Sequence, residues 1–304
     1  MSDAEGSLDE KRVYAGGREA TVVFVAADVG LVRVSVADDL VGEFSLVHRG
    51  PVRDAVVVDG RVAIATGEDV LFEGDRDRGS PSETPSTDDA VAFFETGFGP
   101  ATAVGASGGT VSDSGGDGGR LVAAGAGDGR IAVYDPDEGW EDRGTVEDVR
   151  AIDGELVAAA GGVHRLDGTH VGLDDARDVS SAGTPLAATG SGLYYLANGW
   201  MDALDGSFGV VASDGHGRAM AATADDLYER VTGGSDAAGG AGAAIGGEWR
   251  VVELPVEGVV ADVAFGADGT TYVLMESGAL LVDAGDGWRH RSLGLAGARA
   301  IAVR

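Results

Sequence analysis

The chain has 304 residues, 44% of them hydrophobic and 6% aromatic, so it carries enough apolar side chains for a packed core and is not disordered as a whole. Asp and Glu number 51 against 22 Lys and Arg, a formal net charge of −29 that weakly disfavours a nucleic-acid partner. With no cysteine, disulfides and thiolate metal sites are excluded.

Only one basic residue, Lys11, is a lysine; the others are arginines. An acidic surface that avoids lysine suits a halophile cytosol near molar potassium, where carboxylates keep their water and salt screens their repulsion within a few ångströms. Acidity of that kind belongs to a whole proteome and says little about one partner. Residues 1–10 are polar and acidic, and Lys11-Arg12 is not followed by the apolar stretch of a secretory or twin-arginine signal. No run approaches the roughly 18 apolar residues of a membrane helix. The expectation is a soluble, cytoplasmic protein with no membrane contact.

In chain order, a short apolar strand followed by Gly or Asp recurs seven times, at 22–26, 62–66, 121–125, 156–160, 186–190, 219–223 and 272–275. The starts at 121, 156, 186 and 219 are 35, 30 and 33 residues apart. Another apolar strand precedes six of them, at 54–60, 101–109, 149–154, 176–183, 209–215 and 260–269. Between the two stand Asp59-Gly60, Asp153-Gly154, Asp214-Gly215 and Asp268-Gly269, Asp-Gly pairs suited to tight hairpin turns because Gly accepts positive φ. A third strand alternates aromatic and aliphatic residues at 131–134, 193–196 and 279–282. A fourth opens near Trp140, Trp200, Trp249 or Trp288.

Four antiparallel strands in units of roughly 30 to 45 residues make a propeller blade, and about seven blades fill the chain. The predicted fold is a single all-β domain over 1–304, a β-propeller of about seven four-stranded blades. A β-sandwich would leave the repeat unexplained. Residues 298–304 supply the missing strand, and their expected hairpin partner is the N-terminal strand 21–27, which closes the ring and removes two sheet edges. Three segments interrupt the period: 74–89, rich in Ser, Pro, Thr and acid; 112–119; and 232–247, nearly all Gly and Ala. They read as flexible insertions.

The Ala- and Val-rich strands ending in Gly, the Asp-Gly turns and the outer tryptophans together resemble the uncharacterised β-propeller proteins of haloarchaea, over nearly the whole chain. The resemblance implies the fold and brings no activity and no site residues.

Linear catalytic motifs do not survive inspection. Gly105-Ala106-Ser107-Gly108-Gly109 matches the nucleophile elbow, but no helix follows Ser107. The glycine-rich segment 125–129 leads into another strand, so the helix N-terminus that cradles phosphate is missing. The segment 112–117 lacks the closing Glu of a calcium loop. His48, His164, His170, His216 and His290 form no zinc pattern; His164 and His170 share one unit but read as surface residues. No metal and no cofactor is expected.

One column stands out. Aligning the starts of the blade-opening strands places Arg53, Arg150, Arg177 and Arg299 together, with Asp54, Asp178 and Asp262 in the next column. In a closed ring the four arginines surround one mouth of the channel, a candidate binding site for a phosphate or carboxylate. The alternative is blade-to-blade pairing of these arginines with the three aspartates. The sequence points to a non-enzymatic binding or protein-interaction propeller, its partner a protein or a small anionic ligand. The alternative is a hydrolase or lyase acting on a small anionic substrate in the central channel.

Overall fold

The computed structural model describes residues 20–74, 91–107, 119–125, 127–231 and 247–304. The expected insertions at 74–89, 112–119 and 232–247 lie outside these residues except for Gly74, Gly119 and Gly247. Every element described is a strand, and no helix among the described residues is long and apolar enough to cross a membrane.

The strands form seven four-stranded antiparallel sheets. Blade 1 combines Thr21–Ala27, Gly30–Ala37 and Leu40–Arg49 with the C-terminal strand Ala300–Val303 on its inner edge. The other blades are consecutive meanders opening with Val52–Val58, Ala101–Ser107, Val149–Asp153, Ala176–Ser180, Val210–Ser213 and Val260–Phe265, which we number blades 2 to 7. These opening strands and Ala300–Val303 pack side by side around a central channel. The ring closes as expected, with Val23 opposite Val303 and Ala26 opposite Ala300.

The core is seven apolar seams, one between each pair of successive blades. Along Thr21–Ala27, Val23, Val25 and Ala27 face the seam with blade 7, while Phe24 and Ala26 face the seam with blade 2. Successive strand residues point to opposite faces, and both faces are covered. That is why the second strand of each blade reads as an unbroken apolar run, such as the fully buried Leu186–Thr189. Outer tryptophans join blades: Trp140 Nε1 donates to the Thr96 carbonyl of blade 2 at 3.2 Å, and Trp200 Nε1 to the Val171 carbonyl of blade 4 at 3.0 Å.

The Asp-Gly pairs do not all make the same turn. Asp59 and Gly60 both have positive φ, 50° and 72°, and form the expected two-residue turn. Asp153 pairs with Leu156 inside the ladder, so there the loop is Gly154-Glu155. Asp214 and Asp268 lie in five-residue loops. There the carboxylate accepts backbone N–H groups, from His216 and Arg218 and from Thr270 respectively, an Asx-type closure that replaces the tight turn.

A β-bulge recurs at the second residue of five opening strands, at Arg53, Thr102, Arg150, Arg177 and Ala261. Two residues there oppose one, which re-aims the bulged side chain. This geometry builds the candidate site.

Candidate functional site

Opening strands all run from the same face of the ring, so the arginine column lies at one mouth of the channel. Each arginine has a partner. Arg53 Nη1 donates to the Ala101 carbonyl of blade 3 at 2.9 Å. Arg150 Nη1 donates to Asp175 Oδ1 at 2.7 Å and to the Ala176 carbonyl of blade 5 at 3.0 Å. Arg177 reaches Asp175 Oδ2 at 3.3 Å and donates to Ser207 Oγ, at the entry to blade 6, at 2.8 Å. Arg299 stays within blade 1, bonded to Asp28 and to the Gly297 carbonyl. The Arg150 guanidinium, with Arg177 behind it, holds the Asp175 carboxyl below its ordinary range.

Three of the four arginines therefore link one blade to the next, as the structural alternative expected, but not through the expected partners. Asp54, Asp178 and Asp262 bond to backbone N–H groups instead. Arg177 and Arg299 share one open cavity of about 580 Å3, also lined by Ser207, Thr223, Tyr228 and Glu276. Arg150 lies beside a different depression, and Arg53 lines neither. Arg177 and Arg299 side chains are each 38% exposed, so part of each guanidinium fork still faces the mouth.

The channel itself has the opposite character. A space of about 630 Å3 is lined by Asp54, Asp153, Asp178, Asp214 and Asp262, with His216 and no arginine or lysine among the described lining residues. The opening strands turn an unpaired edge toward this space, and unpaired buried N–H groups are costly. Three aspartates meet that need. Asp54 accepts from Ala55 N at 2.8 Å and from Val104 N of blade 3 at 2.9 Å. Asp178 accepts from Val179 N and from Val211 N of blade 6, both at 2.8 Å. Asp262 accepts from Val263 N at 2.7 Å and from Ile301 N of blade 1 at 2.8 Å. In blades 3, 4 and 1 the equivalent residues are Ala103, Ala151 and Ala300.

Burial pushes Asp54 and Asp178 up to about 7 against these bonds, and Asp262 well above its ordinary value. Mutual repulsion adds to burial, from Asp153 and Asp54 on Asp178, and from Asp178 and Asp54 on Asp262. The column was legible in the sequence; its burial was not.

Ionisation of these groups has a definite sign. At Asp54 and Asp178 the unfolded chain releases the proton near 3.8 and the folded ring only near 7, so the contribution of these two is complete below about pH 4 and lost as pH rises through about 7. At roughly 1.4 kcal/mol per pKa unit, the loss is a few kcal/mol per group. Asp178→Asn removes the ionisation but turns one amide N–H2 toward a backbone N–H, a conflict of about 1–3 kcal/mol at any pH. The variant should be less stable than the parent at pH 5, and the gap should narrow by pH 8 in urea titrations at fixed KCl. A gap independent of pH would show that Asp178 does not titrate in this range.

The rejected motifs stay apart from the channel chemistry. Ser107 ends the blade-3 opening strand, and Gly127, Asp128 and Gly129 sit in a hairpin turn leading into Arg130–Asp135. No group of three or more His, Asp or Glu among the described residues is arranged to hold a metal ion.

Nothing among curated proteins matches the chain in sequence. Among solved structures, the WD40 domain of Neurospora crassa Pan2 superposes with a TM-score of 0.54 at 13% identity, covering 96% of this chain and 94% of that one. Apo AztD from Citrobacter koseri gives 0.52 at 12% identity, covering 94% and 98%. The extracellular domain of the putative one-component system BT4673 from B. thetaiotaomicron gives 0.53 at 11% identity. That match covers 86% of this chain but 38% of the longer domain, so the chain spans under two fifths of its length. At such identities the likeness shows the fold alone. In sequence, residues 7–304 match a family named after a haloarchaeal protein, and the chain therefore belongs to the HVO_0234-like beta-propeller family.

Proposed function

We propose that the chain is a non-enzymatic binding propeller that receives an anionic group, a carboxylate or phosphate, in the mouth cavity lined by Arg177 and Arg299. The observation that carries this reading is the division of charge along the axis. Arg177 and Arg299, both partly open, line the mouth cavity together with Asp205, Asp225 and Glu276, whereas five aspartates and no arginine line the bore. An anion is drawn to the first and repelled by the second, so it stops at the surface of a rigid ring. Binding is favoured over catalysis because the Ser207 hydroxyl accepts from Arg177 and bonds no general base among the described residues.

Titration with inorganic phosphate and with citrate, followed by calorimetry at high KCl, tests the proposal. Arg177→Gln and Arg299→Gln should each weaken binding by about tenfold or more, since each removes a charge-assisted donor pair. Arg143→Gln, on the outer strand Gly139–Thr145 of blade 3, should leave binding unchanged. Equal affinity in all three variants would remove the mouth as the site.

A further inference from the structure

We propose that His164 and His170 form a two-imidazole chelating site for a late first-row divalent ion, Cu2+ above all, on the outer hairpin of blade 4. The proposal is independent of the arginine mouth. The strands Gly162–Arg165 and His170–Gly172 are antiparallel, and His164 stands directly opposite His170 in their register. Directly opposed residues project from the same face of a sheet. Here the imidazole rings lie with centroids 5.0 Å apart and planes 59° to one another.

Each ring is oriented by its own backbone bond. His164 Nδ1 lies 3.2 Å from the Gly168 carbonyl, and His170 Nε2 lies 3.1 Å from the Leu173 carbonyl. A carbonyl only accepts, so both of these nitrogens carry the proton. The lone pairs are therefore fixed on His164 Nε2 and His170 Nδ1, which make no hydrogen bond to any described residue. An imidazole whose N–H is anchored to a carbonyl, leaving the other nitrogen bare, is the arrangement by which proteins orient metal-ligating histidines.

The backbone also makes room for the His170 ring and its anchor: a Cβ at Gly162, where φ is +111°, would fall 2.2 Å from the Leu173 carbonyl oxygen and 2.8 Å from His170 Nε2. Neutral nitrogen donors select Cu2+, Ni2+ or Zn2+ over Mg2+ and Ca2+, which prefer oxygen, and Cu2+ stands highest in the affinity order. With two protein ligands, the remaining coordination positions stay open to water or an external ligand.

The test is titration of the full chain with CuCl2 at high KCl, with excess MgCl2 occupying the surface carboxylates, followed by calorimetry and electron paramagnetic resonance. The expected result is one tight Cu2+ per chain with hyperfine splitting from two imidazole nitrogens. His164→Gln and His170→Gln should each weaken binding by at least about tenfold, while His290→Gln leaves it intact. In the unaltered chain, one equivalent of Cu2+ should broaden the NMR signals of His164 and His170 before those of the other three histidines, a measurement that needs no folded variant. Unchanged affinity in the two variants, a spectrum of oxygen ligands alone, or first broadening at another histidine would overturn the proposal.

Discussion

Removing residues 298–304 is expected to open the ring and cause aggregation. The strand Ala300–Val303 covers the inner edge of Thr21–Ala27, and beyond it Val22 and Arg304 exchange two backbone hydrogen bonds of 3.0 and 2.8 Å. Ile301 fills the seam between blades 7 and 1, and Ala300 and Ala302 fill the seam between blades 1 and 2. Arg304 stacks over Phe24 at 5.0 Å and reaches Glu73 at 2.6 Å, tying the last residue to blade 2. Deletion leaves two seams uncovered, one sheet edge bare and Asp262 without the Ile301 N–H. Against a typical total of about 5–15 kcal/mol, that loss takes most of the stability. The graded version, Ile301→Ala, should cost about 2–4 kcal/mol in reversible unfolding. A truncated chain that stays monomeric and melts with the parent would show that the C-terminal strand does not close the ring.

Transfer from about 2 M to about 0.05 M KCl should lower the melting temperature by tens of degrees or unfold the chain outright, because the screening length grows from under 3 Å to more than 10 Å. At a net charge of −29 the folded ring concentrates repulsion that the unfolded chain disperses. Exposed ion pairs such as Arg250–Glu229 strengthen as salt falls, but each contributes about 1 kcal/mol at most and does not reverse the trend. Thermal melts by circular dichroism in the two salts, at one pH, decide the matter. Coincident melts would remove the link between composition and a salt-rich interior.

An approximate blade count and the order of strands were legible in the sequence because each depends on local patterning, and the closing strand followed from the one strand the repeat left missing. Buried strands are continuous apolar runs, turns are marked by Gly and Asp, and the repeat shows how many times the unit recurs. The column holding Arg53, Arg150, Arg177 and Arg299 was visible for the same reason. Its partners were not. The bulges at Arg53, Arg150 and Arg177 turn these side chains along the face of the ring toward the next blade. Asp54 and Asp178, one residue on from Arg53 and Arg177, then point into the channel, where backbone N–H groups rather than guanidinium ions are within reach. Side-chain direction in a strand alternates with every residue, so one inserted residue reverses it, and no composition or spacing rule marks the insertion. The approach of His164 to His170 has the same origin. Both residues were seen in one unit, but only the register of the hairpin set them face to face, and only the carbonyls of Gly168 and Leu173 fixed which nitrogens stay bare. Periodic burial is a property of consecutive residues and can be read along the chain. Hydrogen-bond partners across blades depend on register and bulge, which the ring alone determines.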